Sequence, residues 1–588
     1  MDAASQPVEQ DFDGAGTDDG IDVGQAEEDA YSDHAEPAPA VLPHLPHLPH
    51  LPHLPATLAG RALRRLAALA VVAASGAALF FAYLYEARTT QMLLPGPPLE
   101  AWDMLHGNLL LHGWTLSDVS FYTTELPEYM LVEQVRGLSV DVIHVAAALT
   151  YTLLVVLAAV LAKGRAVGRE GVVRVLVVAA VMLAPPRGPG TGLVGLLAGP
   201  DHIGTYVPLM IIWLVLDRAR PRWWVPLVIG VLLTWAQIAD PLVLYEGVIP
   251  LVAVCVLRMY RRRRPVTGLW YELSLTAVAL GSTSAAKYVL QTIQQAGGFT
   301  AKTPTASFAT AANLATGMWQ RLSYFLQAFG ADFFGQPIRT DAVIALVHLA
   351  GVALVIAAVV AAIRRLHRDD EMVTSMLAVA FLVLLAAYFF GTKPDANEIV
   401  GVTPVGAVLA ARMLPGRLMR ARMVPALAAL VSCMTVILIY NATRPAVSTQ
   451  ITPTAAWFES HRLHYGLAGW WEAASVTVNS GGRILVRPAR MDNSQIVATA
   501  SESSTTWYDP GLHDATFAIA PAVDHCGNMC LYAGALRRQF GRPAMTYRVG
   551  SYLILVWHHN LLRHLQMRYW CHGWPWDSPL PPSRHPCG

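Results

Sequence analysis

Pro241-Leu-Val-Leu-Tyr-Glu-Gly-Val-Ile-Pro-Leu-Val-Ala-Val-Cys-Val-Leu-Arg-Met-Tyr-Arg-Arg-Arg-Arg264 decides how this chain is read. An apolar block over 241–257 runs directly into Arg258 and the cluster Arg261 to Arg264. The same pairing recurs on both sides of it. Arg61, Arg64 and Arg65 precede the first apolar block, and Lys163, Arg165, Arg169 and Arg174 follow the second. Then come Arg218, Arg220 and Arg222; later Arg364, Arg365 and Arg368; and finally Arg412, Arg417, Arg420 and Arg422. Every second gap is basic, and the gaps between are rich in Gly, Pro, Thr and aromatic residues. Lysine and arginine are retained on the cytoplasmic side during insertion, so the alternation predicts a polytopic membrane protein with its amino terminus inside.

Composition agrees, with 54% hydrophobic and 14% charged residues, too few charges to coat a soluble protein of this length. The net charge of +1 hides a segregated distribution, acidic in the amino-terminal tail and basic in the inner loops. Such loops point to anionic lipid headgroups and not to nucleic acid. No cleavable signal peptide is expected, because an acidic tail precedes the first apolar block, which reads as a signal anchor. Residues 1–60 read as disordered, and Pro43 to Pro55 repeats Pro-His-Leu with the period of a polyproline II spacer.

A span needs about twenty apolar residues, fewer where a helix is broken or packed on protein, which gives about eleven spans. They cover 62–85, 141–162, 171–185, 203–217, 223–239, 241–257, 267–290, 341–363, 372–391, 398–412 and 424–440. The expected fold is therefore an all-α polytopic membrane domain over 61–440 with long outer loops at 86–140 and 291–340. An extracytoplasmic carboxyl-terminal domain, small and α/β or mainly β, follows over 441–562, with an irregular tail at 563–588. The localisation this predicts is the plasma membrane, multi-pass, with the amino terminus cytoplasmic.

In the last domain, Val476-Thr477-Val478 and Ile484-Leu485-Val486 around Ser480-Gly481-Gly482 read as two strands about a glycine turn. Tyr547 to Trp557 reads as strand–turn–strand about Gly550. Cys255 and Cys433 fall in apolar spans, where a buried thiol is the default. Cys526, Cys530, Cys571 and Cys587 fall outside, where a Cys526–Cys530 or a cross-domain disulfide is expected. Their pairing is open, and the spacing is not a tight zinc pattern.

The first outer loop concentrates polar and aromatic residues, with four acids: Asp103, Asp118, Glu125 and Glu128. They are read either as a candidate site or as a solvated loop capping a helix that begins near Pro127. Asp201, His202 and Asp240 form a second acidic group at span ends, against the plainer readings of helix capping and an Asp-Pro turn. Glu246, Glu272, Lys287 and His144 lie inside spans and are expected to be paired or to line a cavity.

Gly107-Asn108-Leu109-Leu110-Leu111-His112-Gly113-Trp114, followed by Phe121-Tyr122-Thr123-Thr124-Glu125-Leu126-Pro127, is similar to the N-x-L-L-x-G-W … F-x-T-T-D-x-P segment of bacterial GT-C membrane glycosyltransferases. That superfamily includes protein O-mannosyltransferases and aminoarabinose transferases. Tyr465-Gly466-Leu467-Ala468-Gly469-Trp470-Trp471 resembles the G-L-A-x-Y-W segment that opens their outer domain. The likeness covers the chain from the first span to about residue 562. Glutamate stands here for the usual aspartate after Thr-Thr, and Trp470 for the usual tyrosine.

The resemblance implies a sugar donor on polyprenyl phosphate at the outer leaflet and an unspecified glycan, lipid or protein acceptor. Glu125 occupies the position of the general base, with Asp118 its local rival. The leaving lipid phosphate needs cations. Positive-inside bias makes these scarce outside, leaving Arg136, Arg187, Lys302, Arg321, Arg339 and Lys393; Arg321, in an amphipathic segment beside the headgroups, is the first choice, against plain lipid anchoring, with Lys302 and Lys393 next. No cofactor or metal is required, although the acids leave room for a divalent cation. The alternatives are a transporter or lipid flippase, whose function would track Glu246, Glu272 and Lys287, and a non-catalytic envelope scaffold. No Walker, Rossmann or zinc-protease motif is present.

Overall fold

The computed structural model describes residues 58–89, 96–186, 196–197, 199, 201–262, 269–301, 307–365, 371–392, 397–420, 423–447, 452–492, 494–523 and 530–567. The amino-terminal tail, its Pro-His-Leu repeat, Lys302, Lys393, Cys526, Cys571 and Cys587 lie outside them. Residues 1–64 and 65–588 form two units. Of the first, only the start of helix α1 (Leu58–Ala87) is described.

After α1 the chain forms α2 (Gly96–Leu105), the short strand β1 (Trp114–Thr115) and α3 (Glu125–Arg136). The bundle continues with α4 (Val140–Lys163), α5 (Gly168–Met182), α6 (His202–Arg218) and α7 (Trp224–Ala239). A π-helical turn (Leu244–Val248) leads into α8 (Ile249–Arg262), followed by α9 (Trp270–Gln295) and α10 (Ala311–Ala328). Then come α11 (Thr340–Arg365), α12 (Met372–Phe390), α13 (Val402–Met413), α14 (Pro415–Leu418) and α15 (Met423–Ala442).

Each of the eleven apolar segments thus contains a helix among its described residues. Among the described residues five helices are long and apolar enough to cross a membrane: 69–87, 140–163, 340–365, 372–390 and 423–442. Such a set belongs to a multi-pass membrane protein. The helices α7 and α13 are apolar but shorter. The π turn interrupts 241–257, Pro208 sits inside the 17-residue α6, and α9 is long, at 26 residues, but polar at its end, with Gln291, Gln294 and Gln295. Packed on neighbouring helices, such segments do not need a full span of lipid-facing apolar surface.

Helix ends gather in two groups. At one end Arg412 on α13 meets the last turns of α4 and α6 and the residue before α12. At the other, Arg88 after α1 meets Asp141 at the start of α4, and Asn441 at the end of α15 donates to Glu86. We call these the arginine end and the acid end.

The carboxyl-terminal region folds as α16 (Thr452–Ser460), β2 (Tyr465–Ala468), α17 (Trp470–Asn479), β3 (Leu485–Asp492), β4 (Gln495–Ala498) and β5 (Ser503–Ser504). It closes with β6 (Phe517–Pro521), α18 (Ala533–Phe540), β7 (Met545–Val549) and β8 (Tyr552–Val556). The mixed sheet has the order β4-β3-β2-β6-β8-β7, with β2 parallel to both β3 and β6. The domain is α/β.

The strand expected at Val476-Thr477-Val478 is instead the last part of α17. Parallel pairing of β2 and β3 demands a crossover, which a two-residue hairpin cannot supply. Ala473, Val476 and Val478 become the buried face of that crossover helix, and Thr477 Oγ1 bonds back to the Ala473 carbonyl at 2.9 Å. The hairpin about Gly550 forms as β7 and β8. Along β6 the side chains alternate: Phe517 and Ile519 face a core with α16 and α17, while Ala518 and Ala520 face a second core. That second core includes Leu99, Trp114, Phe121 and Leu126, so the segment 96–136 and the sheet domain are buried together.

Candidate functional site

The segment between α2 and α3 is built first by its own motif. Asn108 accepts from the His112 amide at 2.7 Å and donates to Asp103 at 2.8 Å, and the Trp114 indole donates to the same Asp103 at 2.6 Å. Asp103 is therefore a structural acceptor. Gly113 adopts φ +81°, and a side chain there would crowd Thr505 and Ser504, because β1 pairs with β5 of the sheet domain. The next stretch docks on the end of α7. Ser120 Oγ donates to the Ile238 carbonyl and Thr123 Oγ1 to the Trp235 carbonyl, both at 2.6 Å, and the Ser120 and Phe121 amides share the Ala239 carbonyl.

This anchoring delivers Glu125, the first residue of α3, to the start of α6. Its carboxylate lies against Gly204, where any Cβ would collide with it. Thr124 donates to Oε2, while Oε1 is buried with no hydrogen-bond partner. Glu125 is 1% exposed. Burial pushes its carboxyl well above the usual carboxylate range, and Asp240 and Glu128 add to the push. Glu128 accepts from Thr150 on α4 at 2.6 Å, and burial raises it to about 7. Glu133, two turns further along α3, has both oxygens buried and unpartnered and is raised by burial to about 9. The spacing of Glu125, Tyr129, Val132 and Glu133 (i, i+4, i+7, i+8) marks one helix face, a signal that could have identified Glu133 in the sequence.

Beside Glu125 stands the second acidic group. Asp240 is fully buried and collects three donors at 2.8 Å: His202 Nδ1, Thr205 Oγ1 and the Leu242 amide. The Asp-Pro turn read at Asp240 is present, with its carboxylate accepting the Leu242 amide. His202 hydrogen-bonds through Nδ1 to Asp240 and lies edge-on to Phe121. Asp201 takes the N-cap position of α6, but its side chain caps no amide. Deeper, Tyr206 donates to Glu246 on the π turn, leaving Glu246 Oε2 buried and unpartnered.

Asp118 is half-buried on the sheet-domain side of the group. There Glu502, in a left-handed conformation at φ 50°, presses its carboxylate against Gly96 at the start of α2. Burial raises Glu502 to about 8, and the charges of Asp201 and Asp118 contribute. Glu100, 2% exposed, is raised well above its usual range by burial and by Glu502. Neither Glu100 nor Glu502 carries a sequence signal, since their meeting depends on how the sheet domain docks.

Arg321 on α10 is 2% exposed and donates to the Gly391 carbonyl at 2.8 Å, with Nε unpartnered. None of its described contacts reaches Glu125. Glu272 pairs with Arg258 at 3.5 Å, while Lys287 is exposed. Trp507 and Tyr508 are core residues, whereas Trp471 is exposed. Cys255 is a buried free thiol, Cys433 an exposed one, and Cys530 is disulfide-bonded. Among the described residues no three His, Cys, Asp or Glu side chains converge to hold a metal ion.

Fold and site define a helix-bundle protein of the multi-pass membrane type, with an acid-lined end roofed by an α/β domain. No protein-family model matches the chain, and no curated protein matches it. Among solved structures it is similar to the oligosaccharyltransferase of Archaeoglobus fulgidus, crystallised tethered through a disulfide bond to an acceptor peptide containing the NVT sequon. Identity is 11% and the TM-score 0.38, over 75% of this chain and 65% of that one. The chain thus spans less than two thirds of the length of that protein.

Proposed function

We propose that this chain is an integral membrane glycosyltransferase that moves a sugar from a polyprenyl-phosphate donor to an acceptor hydroxyl at the acid end, which we place outside the cytoplasm. One observation carries the reading. Glu125, held at the meeting of the motif loop, α6 and α7, keeps a carboxylate oxygen that is buried and without a partner. A buried orphan acceptor costs stability unless something else uses it. In the proposed step the acceptor O–H gives its proton to Glu125 Oε1, the new bond forms to the anomeric carbon, and the bond to the lipid phosphate breaks. A carboxyl whose proton affinity is raised toward the working pH is the stronger base once ionised. Asp118 is the alternative base, and Arg321, Lys302 and Lys393 are the proposed phosphate contacts. The acceptor is a glycan, lipid or protein hydroxyl, and the step requires no divalent cation.

The test is sugar transfer from polyprenyl-phosphate donors in membranes, with Glu125→Gln and Asp118→Asn made separately. Loss of transfer in Glu125→Gln supports the assignment, and undiminished transfer in both overturns it. A transport function is favoured by one feature only, Glu246 buried on an interrupted helix. It predicts that Glu246→Gln abolishes substrate movement while Glu125→Gln is neutral.

A further inference from the structure

Among the described residues three arginines are buried: Arg321, Arg412 and Arg487. Arg412 meets two carboxylates, Asp217 and Glu371. Arg487, 7% exposed on β3 of the sheet domain, meets none among the described contacts. Its guanidinium lies over the Trp507 ring, 4.0 Å from the centre, and beside the Tyr465 ring at 5.6 Å. Nε donates to Tyr465 Oη at 3.3 Å, and that hydroxyl donates onward to the Trp507 carbonyl at 2.5 Å. The face and the Nε edge of the guanidinium are thus committed. The two terminal nitrogens have no described partner, and neither is among the fully buried atoms, so both open to solvent.

Four of the five donors of a guanidinium sit on those terminal nitrogens, in the plane of the fork. An aromatic face attracts the charge but accepts none of these in-plane hydrogens. Burying a charge is costly unless it is paired, and an oxyanion set end-on against the fork would complete this socket. The socket carries a single positive charge. His513 stacks on Tyr465 with 4.5 Å between ring centres. Burial and the Arg487 charge hold His513 below its usual range, against the opposite pull of Asp509, which leaves it neutral near pH 7. Asp509 itself accepts from the Gly511 amide at 2.8 Å. One fixed cation matches a group of one negative charge with two oxygens to offer, a carboxylate or a phosphodiester. None of the described contacts of Arg487 reaches Glu125. The socket nevertheless shares a wall with the motif segment, since Trp507 packs edge-on to Trp114 at 4.7 Å.

We infer that the Arg487 socket is a second ligand site of this protein, taking a singly charged oxyanion, either the carboxylate of a uronic acid or a phosphodiester. The competing account is that the guanidinium serves only to staple Trp507 to the sheet. To separate them, the full-length protein in a non-ionic detergent is titrated with sodium glucuronate, with sodium dimethyl phosphate and with glucose at matched ionic strength. Hydrogen exchange over 485–489 and 503–513 is followed by mass spectrometry. Glucuronate or dimethyl phosphate should slow exchange in these segments saturably, and glucose should not. The tighter of the two anions identifies the source of the oxyanion.

Arg487→Met should weaken the binding about tenfold or more, as expected for loss of a charge-assisted hydrogen bond. Without any probe it should melt no earlier than the wild type, because an unpaired buried charge has been removed. Arg487→Lys keeps the charge without the fork and should weaken binding severalfold, which preserves the test if the methionine variant fails to fold. No protection by either anion, or unchanged affinity in the variants, would overturn the inference. So would a methionine variant that melts several degrees earlier while the wild type ignores both probes, which would make Arg487 a staple. None of these outcomes depends on sugar transfer.

Discussion

The two ends of the helix bundle treat buried charge in opposite ways. At the arginine end Arg412 is 7% exposed and fully engaged. It donates to the Leu161 carbonyl at 2.7 Å, to Asp217 at 2.7 Å and to Glu371 at 2.6 Å. One side chain thereby ties together the ends of α4, α6, α12 and α13, and its charge sits at the negative end of α4. At the acid end Glu125, Glu133, Glu246 and Glu502 each keep at least one buried oxygen with no partner. At the first end desolvation is offset by ion pairs, Asp217 Oδ2 meeting Arg218 at 3.4 Å, whereas at the second those oxygens have no cation beside them among the described contacts. Buried ionisable groups that are paired hold a structure together, whereas burial of the unpartnered carboxyls Glu133 and Glu502 favours their protonated, uncharged form.

The sharpest way to break that contrast is Glu125→Gln. A general base contributes about 10²–10⁴-fold to the rate, so transfer in membranes should fall by that order while thermal unfolding changes little. A large loss of stability with normal transfer per folded molecule would make Glu125 structural. Arg412→Met should behave oppositely. Removing one partner of a buried ion cluster costs about 3–5 kcal/mol, so unfolding in detergent should occur much earlier, with transfer per folded molecule retained. Asp240→Asn lies between the two. It weakens acceptance from His202, Thr205 and Leu242, and about 1–3 kcal/mol of stability should be lost together with part of the activity.

The smallest effect concerns Glu502. Burial raises it from 4.5 to about 8, so between these values the folded form holds a proton that the unfolded chain has released. Its contribution to stability is therefore complete in acid and is lost as pH rises through 8. Melting temperature should decline from pH 5.5 to 8.5, and Glu502→Gln should flatten part of that decline, the rest coming from Glu100 and the acids of α3. A melting temperature that rises over this interval would show that these carboxyls are ionised within the fold.

Much of the helical half was legible in the sequence because its cause is local. Leu251 to Leu257 followed by Arg258 and Arg261 is an apolar block with a basic end, and it forms α8. The Gly550 hairpin is likewise local, since Gly550 takes φ 58° at its turn. Val476-Thr477-Val478 misled because β-branched residues favour a strand only when the partner strand lies alongside. Here the parallel partner of β2 comes after them, and they had to cross over as a helix. The amphipathic surroundings of Arg321 form the expected helix α10, and what only the tertiary structure supplied is the Gly391 carbonyl at the end of α12 that its guanidinium meets.

Alternating hydrophobicity and arginine, acting within each stretch of about twenty residues, determined by themselves that this chain forms a series of apolar helices with chemically distinct ends. They also marked the loop from Asn108 to Glu125 as unusual. Which acids meet was decided only by the tertiary structure. Glu502 reaches Gly96, and Glu125 reaches Gly204 and Asp240, only because the sheet domain and the motif loop dock on the ends of α2, α6 and α7. Electrostatic and desolvation effects depend on distance in space and on the exclusion of water, and neither quantity is written in the order of the residues.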